Sequence, residues 1–238
     1  GFHVDGHECI EVKEGDTFTI YAQSTAEASM GKLTACLPEL SDHEKSVWPV
    51  AGLSGIGAGV RVWAANDNYY ENEGTIIING GNIRAKGQDN ASAIGGTRAE
   101  EIEFRSTDRG EVYNRRQGGS ITINGGIVCT KLRTSGGAHT ADSFGIGTCY
   151  GNGGSVTING GTFDRVVLHS APTPENRGKY ELVVNGGFFR QSIAQILVGD
   201  VYASNFDHLT MQINDAYFMR TTDTVSYTHL TLPTILRV

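Results

Sequence analysis

The chain has 238 residues, of which 32 are glycine and only 5 are proline, and its formal net charge is −7. Glycine at about twice its usual ~7% without excess proline indicates an ordered, turn-rich chain and excludes a collagen or a flexible linker. An acidic chain without a Lys/Arg stripe is a poor match for nucleic acid, and no run approaches the ~18 apolar residues of a membrane span, so we expect neither partner.

The N-terminal segment, residues 1–16, mixes charged residues with Val4, Ile10 and Val12 and is predicted to form a cap or an edge strand. A repeat protein needs a cap because an uncovered end exposes strand edges and apolar interior. Gly1-Phe2-His3 opens the chain without a Met or a leader, which favours a start inside a longer protein over a removed signal peptide. Residues 17–35 are predicted to be a first, divergent repeat unit.

A motif of four strand-forming residues followed by Asn-Gly-Gly recurs along the chain. Its copies are 75–81, 120–126, 155–161 and 181–187, with a decayed copy at 209–214. Alternating β-branched and aliphatic residues predict a strand, and Asn-Gly-Gly predicts a turn because these residues tolerate positive φ. Equivalent turns stack in a repeat protein, so we predict a hydrogen-bonded side-chain ladder of Asn79, Asn124, Asn159 and Asn185 with buried partners.

Two further short elements accompany each motif. A second strand follows the turn, and Ile83, Val128, Phe163 and Phe189 are predicted to form its inward, stacked column. A third element is the Gly-Ile-Gly type at 55–57, 93–95 and 145–147. Three short strands per unit predict an all-β fold, a right-handed parallel β-helix (three-sided β-solenoid) of about six turns, forming one domain over residues 1–224.

These motifs resemble the glycine-rich right-handed parallel β-helix repeats of large extracellular proteins of gut-type bacteria. The matching residues are 118–126 with 145–147, and 153–161, and the resemblance covers roughly 74–187. It implies the fold and an extracellular or cell-surface location. It carries over no catalytic motif, because such repeats are mostly surface or carbohydrate-associated modules.

Loops that leave the Gly-Ile-Gly element, at 61–74, 98–117 and 148–154, are rich in aromatic and amide groups. Aromatic rings offer a platform for the C–H face of a sugar, and Asn, Asp and Arg bind its hydroxyls. The alternative is that these rings only cover the side of the solenoid. We predict a polysaccharide or cell-surface glycan as partner, bound by Trp63, Asp67, Tyr69, Tyr70, Tyr113 and Tyr150.

Loops that lead into the Gly-Ile-Gly element support an enzyme alternative, a β-helix polysaccharide lyase or glycoside hydrolase acting on an acidic polysaccharide. In a lyase, carboxylates would hold Ca²⁺ against a uronate while Lys or Arg abstracts a proton. The catalytic candidates are Lys86, Asp89, Arg133, His139 and Asp142, and the Ca²⁺ candidates are Asp42, Asp89 and Asp142. Charged residues on exposed loops are the default. The leading expectation is therefore a non-catalytic structural or glycan-binding module without a cofactor.

Four cysteines are too few for a disulfide scaffold. Pairs between Cys9 and Cys36 and between Cys129 and Cys149 are one alternative, and four reduced thiols are an equally weighted one. Neither pair has the spacing of zinc ligands.

The C-terminal segment, residues 225–238, lacks the Gly-Asn punctuation of the preceding units. It resembles the translated sequencing-adapter read-through that ends many metagenome-derived reading frames, and we interpret it as a non-native tail. The alternative is a genuine last strand containing Leu230, Leu232 and Leu236, against which Pro233 argues.

Overall fold

A computed structural model shows how the repeat folds. The structure describes residues 9–37, 53–58, 60–62, 68–70, 73–87, 92–96, 119–130, 145–147, 154–164, 166–168, 180–191, 209–219, 227–230 and 234–237. Every regular element within these ranges is a β-strand. The same ranges hold no helix with the length and apolar character that a membrane crossing requires.

The strands follow one another in turns of the chain. The first three turns contain β1 (Ile10–Glu11), β2 (Thr17–Ile20), β3 (Lys32–Cys36), β4 (Ile56–Gly57), β5 (Val60–Val62), β6 (Asn68–Tyr70), β7 (Thr75–Ile78), β8 (Asn82–Lys86), β9 (Ile94–Gly95), β10 (Ser120–Ile123) and β11 (Ile127–Thr130). The later turns contain β12 (Gly145–Gly147), β13 (Ser155–Ile158), β14 (Thr162–Asp164), β15 (Val167–Leu168), β16 (Tyr180–Val184), β17 (Phe188–Phe189), β18 (Leu209–Ile213) and β19 (Ala216–Met219), followed by β20 (Tyr227–Leu230) and β21 (Thr234–Arg237).

Equivalent strands of successive turns pair in three sheets. The first sheet has the order β1-β4-β9-β12-β15, the second β2-β7-β10-β13-β16-β18-β21, and the third β20-β19-β17-β14-β11-β8-β3. Within these sheets every pairing is parallel except those of β20 and β21, which run antiparallel to β19 and β18. The second and third sheets each stack one strand from six successive turns. The predicted all-β, three-sided parallel β-helix of about six turns is confirmed.

The core is a set of stacked columns that run through the turns. In the third sheet the column contains Leu33, Ile83, Val128, Phe163, Phe189 and Phe218, each paired in register with the next. The three phenylalanine rings stack nearly parallel, with centroids 4.6 and 4.8 Å apart. This distance matches the ~4.8 Å separation of neighbouring strands, so the backbone repeat sets the ring contact. The predicted inward column is confirmed, and it extends by one residue at each end.

The first sheet is built from close backbone contacts. Ile56, Ile94 and Ile146 are fully buried and pair in register across turns two to four. The glycine that follows each isoleucine has a positive φ, 125° at Gly95. A side chain at Gly95 would collide with the carbonyl oxygen of Gly147 in the next turn. The Gly-Ile-Gly element is therefore a site where only glycine allows the turns to approach.

The two ends of the core differ in burial. In turn one, the inward residues Ile10, Phe18, Ile20 and Leu33 are only partly buried. In turn six, Met211, Ile213 and Phe218 are buried, and they lie on the strands that pair with β21 and β20.

The structure thus places two strands in the segment that we interpreted as a non-native tail. Both strands extend the solenoid at the end where the apolar core is best covered. That residues 225–238 are a non-native tail stays a prediction. At the opposite end, β1 is the edge strand of the first sheet, and residues 1–8 lie outside the described residues.

Candidate functional site

Two of the six predicted glycan-binding residues, Tyr69 and Tyr70, lie on one described strand, β6. The strands β5 and β6 pair antiparallel as a separate two-stranded sheet, with Val60 opposite Tyr70 and Arg61 opposite Tyr69. The other four predicted residues lie outside the described residues: Trp63, Asp67, Tyr113 and Tyr150. Tyr69 and Tyr70 thus lie on a described strand that follows the Gly-Ile-Gly element of turn two, and in the sequence Trp63 and Asp67 fall between β5 and β6.

The residues of the enzyme alternative fall mostly outside the described ranges. Asp42, Asp89, Arg133, His139 and Asp142 all lie there. Lys86 is described: it ends β8, its side chain is half-buried, and its carbonyl oxygen accepts a hydrogen bond from the Leu37 amide at 3.1 Å. In the described part of the chain, no three His, Cys, Asp or Glu side chains are grouped to hold a metal ion. The proposed catalytic and Ca²⁺ arrangements stay predictions.

A ladder of asparagine side chains runs along the corner between the second and third sheets. Each amide nitrogen donates to the amide oxygen of the preceding turn: Asn124 to Asn79 at 2.7 Å, Asn159 to Asn124 at 2.7 Å, Asn185 to Asn159 at 2.8 Å, and Asn214 to Asn185 at 2.6 Å. The predicted ladder is confirmed and extends to the asparagine of the decayed motif. The expectation of buried partners was wrong, because three of the five side chains are exposed to solvent. Water therefore competes for these amides.

The ladder has a direction and two different ends. At the C-terminal end, Gln212 Nε2 donates to Asn214 Oδ1 at 2.7 Å, so the last acceptor is occupied. At the N-terminal end, the position equivalent to Asn79 in turn one is Tyr21, since Ile20 pairs with Ile78. Tyr21 is 77% exposed, and Asn79 Nδ2 donates no hydrogen bond within the described residues. Asn79 is therefore the donor end of a row of aligned amides.

A groove of about 420 Å³ lies beside this donor end. One wall is the loop between β2 and β3, which contributes Ala22, Ser24, Thr25, Glu27 and Met30. The other wall is formed by the Asn-Gly-Gly corners of turns two and three, with Ile127 and Thr162 beyond them. Its volume lies within the ~300–1,000 Å³ range of sites for small molecules.

The loop wall of the groove is held by its own hydrogen bonds. Ser24 Oγ and Ser29 Oγ are 2.6 Å apart, the Ala26 amide donates to Ser24 Oγ at 3.2 Å, and the Ser29 amide donates to the Ala26 carbonyl oxygen at 3.0 Å. Met30 is buried at the base of this turn. The loop packs on the corner so closely that a side chain at Gly80 would lie 2.7 Å from the Ala22 methyl group. The groove is therefore preformed.

This groove could not be predicted while residues 21–31 were interpreted as part of a divergent unit. The available signal was the break in the motif at Tyr21, where every later turn of the second sheet has Asn. Tyr21 ends the ladder, so Asn79 lacks the asparagine acceptor in the preceding turn that the other ladder residues have.

Glu73, a buried carboxylate at the corner that precedes β7, is a second feature that no sequence motif indicated. Glu73 is 9% exposed, and its Oε2 accepts a hydrogen bond from the Gly119 amide at 3.1 Å. A side chain at Gly96 would collide with this carboxylate. Glu73 therefore joins turns two and three at the corner between the first and second sheets, and we assign it a structural role.

Comparisons with known proteins provide no relative for this chain. No protein-family model, curated protein or solved structure matches it. The resemblance to glycine-rich β-helix repeats is therefore supported at the level of architecture, through three sheets of repeated parallel strands.

Proposed function

We propose that this chain is a non-catalytic, glycan-binding module of an exported bacterial surface protein, built on a β-helix of the glycine-rich repeat type. The single observation that carries the proposal is the hairpin of β5 and β6. Tyr69 and Tyr70 lie on β6, and Trp63 and Asp67 fall between the two strands in the sequence. A short segment rich in aromatic and polar residues supplies the chemical groups that bind a sugar ring.

The scaffold suits this role because its strand pairing repeats from turn to turn. Six turns are joined by in-register parallel pairing, so the point where the hairpin leaves is set by β4 and β7. A sugar stacked on one ring gains only ~0.5–1.5 kcal/mol beyond area burial, by analogy with aromatic pairs. One chain would therefore bind weakly, and useful affinity would come from many copies.

Fluorescence of Trp63 provides the test. The chain contains two tryptophans, Trp48 and Trp63, so a Trp48→Phe variant reports on the hairpin alone. We expect titration with neutral and uronate-containing polysaccharides to change this fluorescence saturably, with a Kd in the ~millimolar to micromolar range.

The controls separate binding from catalysis and from general destabilisation. Tyr70→Ala is expected to weaken binding, and Tyr217→Ala, which removes an exposed tyrosine from β19, is expected to leave it unchanged. Growth of ultraviolet absorbance from an unsaturated product, abolished by Lys86→Ala or Arg133→Ala, would instead establish the lyase. No fluorescence change with any polysaccharide would leave only a structural stalk.

A further inference from the structure

We propose that the groove at the donor end of the asparagine ladder is a second binding site, specific for a non-ionic saccharide, in which Asn79 supplies the principal hydrogen-bond donor. The groove lies at the corner between the second and third sheets, and none of its lining residues belongs to the β5–β6 hairpin. This inference therefore stands or fails independently of the contact proposed for the hairpin.

The donor strength of Asn79 follows from the direction of the ladder. Asn79 Oδ1 already accepts a hydrogen bond from Asn124 at 2.7 Å. Beyond Asn124 the ladder continues in the same direction through four further amides, those of Asn159, Asn185, Asn214 and Gln212. Hydrogen bonds in such a chain polarise one another, which makes the terminal N–H groups stronger donors. In the first turn Tyr21 stands where an accepting asparagine would continue the ladder. The terminal amide is thus directed to a ligand or to water.

The charges of the groove select the class of ligand. Asn79 presents N–H donors, whereas Glu27, on the opposite wall, presents a carboxylate that only accepts. The amide N–H groups disfavour a cation. The Glu27 carboxylate and the net charge of −7 disfavour an anion. Hydroxyl groups both donate and accept, so a neutral polyol satisfies both walls. Thr25 adds a hydroxyl of the same dual capacity.

The groove also offers apolar groups for the C–H face of a sugar ring, because Ala22, Met30 and Ile127 are among its lining residues. A lining with both polar and apolar groups favours a saccharide over a small inorganic ion, which would use only the polar groups. The loop that carries Ala22 and Met30 is already ordered by the Ser24 and Ser29 hydrogen bonds, so little ordering accompanies binding.

The test follows the side-chain amide of Asn79 by two-dimensional ¹H–¹⁵N NMR while cellotriose is added to the full chain. We expect the Asn79 NH₂ resonances to shift saturably, and the shift to persist in a Trp63→Ala chain. Asn79→Ala is expected to weaken cellotriose binding about five- to tenfold, as for the loss of one hydrogen bond.

Asn159→Ala is the matched control, because it removes two ladder hydrogen bonds but does not line the groove. We expect it to change the affinity less than about twofold. Equal weakening by Asn79→Ala and Asn159→Ala would mean that the ladder acts through stability alone, and absence of an Asn79 shift would overturn the site.

A second pair of variants tests the charge argument. Glu27→Gln is expected to raise the affinity for trigalacturonate about two- to fivefold, whereas Glu181→Gln, which removes the same charge from the exposed face of β16, is not. Tighter binding of trigalacturonate than of cellotriose by the unmodified chain would contradict the assignment of a non-ionic ligand.

Discussion

Asn124 is the residue at which the energetic role of the ladder is measured most directly. It donates to Asn79 and accepts from Asn159, both at 2.7 Å, and its side chain is exposed. Two hydrogen bonds are lost in Asn124→Ala, and water can then solvate the amides of Asn79 and Asn159. We therefore expect the free energy of unfolding to fall by about 1–2 kcal/mol, at the low end of ~0.5–1.5 kcal/mol for each bond. Urea denaturation measures the change.

Phe163→Ala supplies the comparison for that experiment. Phe163 is fully buried and stacks on Phe189 at 4.6 Å, so its removal is expected to cost ~3–5 kcal/mol. If Asn124→Ala left the free energy of unfolding unchanged while Phe163→Ala lowered it, the ladder would contribute no net stability. Water would then satisfy the corner amides equally well.

Gly95 carries a strict steric requirement. Its φ is 125°, and a side chain there would collide with the carbonyl oxygen of Gly147. Gly95→Ala is therefore expected to lower the free energy of unfolding by ~2–6 kcal/mol, from backbone strain of ~1–3 kcal/mol and overpacking of similar size. Gly31→Ala is the control, because no atom lies within 4 Å of its added methyl group. Equal melting temperatures of the two variants would contradict the close packing of the first sheet.

The β5–β6 hairpin is the element on which the proposed function depends. Its strands pair with each other and with no strand of the three sheets among the described residues. We therefore expect replacement of residues 59–72 by a Gly-Ser linker of equal length to leave the circular dichroism spectrum of the β-helix unchanged. Equal length avoids a change in loop-closure entropy. The same variant is expected to lose glycan binding at the hairpin.

The linker variant also distinguishes binding at the groove from binding at the hairpin. Cellotriose is expected to shift the Asn79 side-chain resonances in this variant as in the unmodified chain. Collapse of the β-helix on replacement would show that the hairpin is part of the core and would remove it as an independent recognition element.

The whole molecule depends on what covers its two ends. Removing residues 225–238 would uncover β18 and β19, whose inward residues Met211, Ile213 and Phe218 are 1–3% exposed. Repeat proteins gain stability from each neighbouring interface, so the inner turns retain theirs. We expect the chain truncated after Thr224 to remain folded and soluble, with a lower midpoint of thermal unfolding. Loss of soluble expression would show that β20 and β21 are a genuine cap.

Much of the fold was predictable from the sequence because the repeated contacts follow from short patterns. Asn-Gly-Gly after four alternating residues defines a strand and its turn within seven positions, and the in-register stacking of Ile83, Val128 and Phe163 follows once the copies are aligned. The predicted glycan-binding residues were found by composition alone. Their arrangement depends on loops, whose conformation carries no repeated pattern.

The sequence by itself determined the three-sided β-helix, its inward columns and the asparagine ladder, because each depends on residues that recur at equivalent positions. Only the tertiary structure decided that the ladder is exposed and runs in one direction, that Tyr21 ends it beside a groove, and that Glu73 joins two turns through Gly119. These features depend on single, non-repeated residues separated by tens of positions along the chain. Their contacts exist only after the turns have stacked, so no local pattern encodes them.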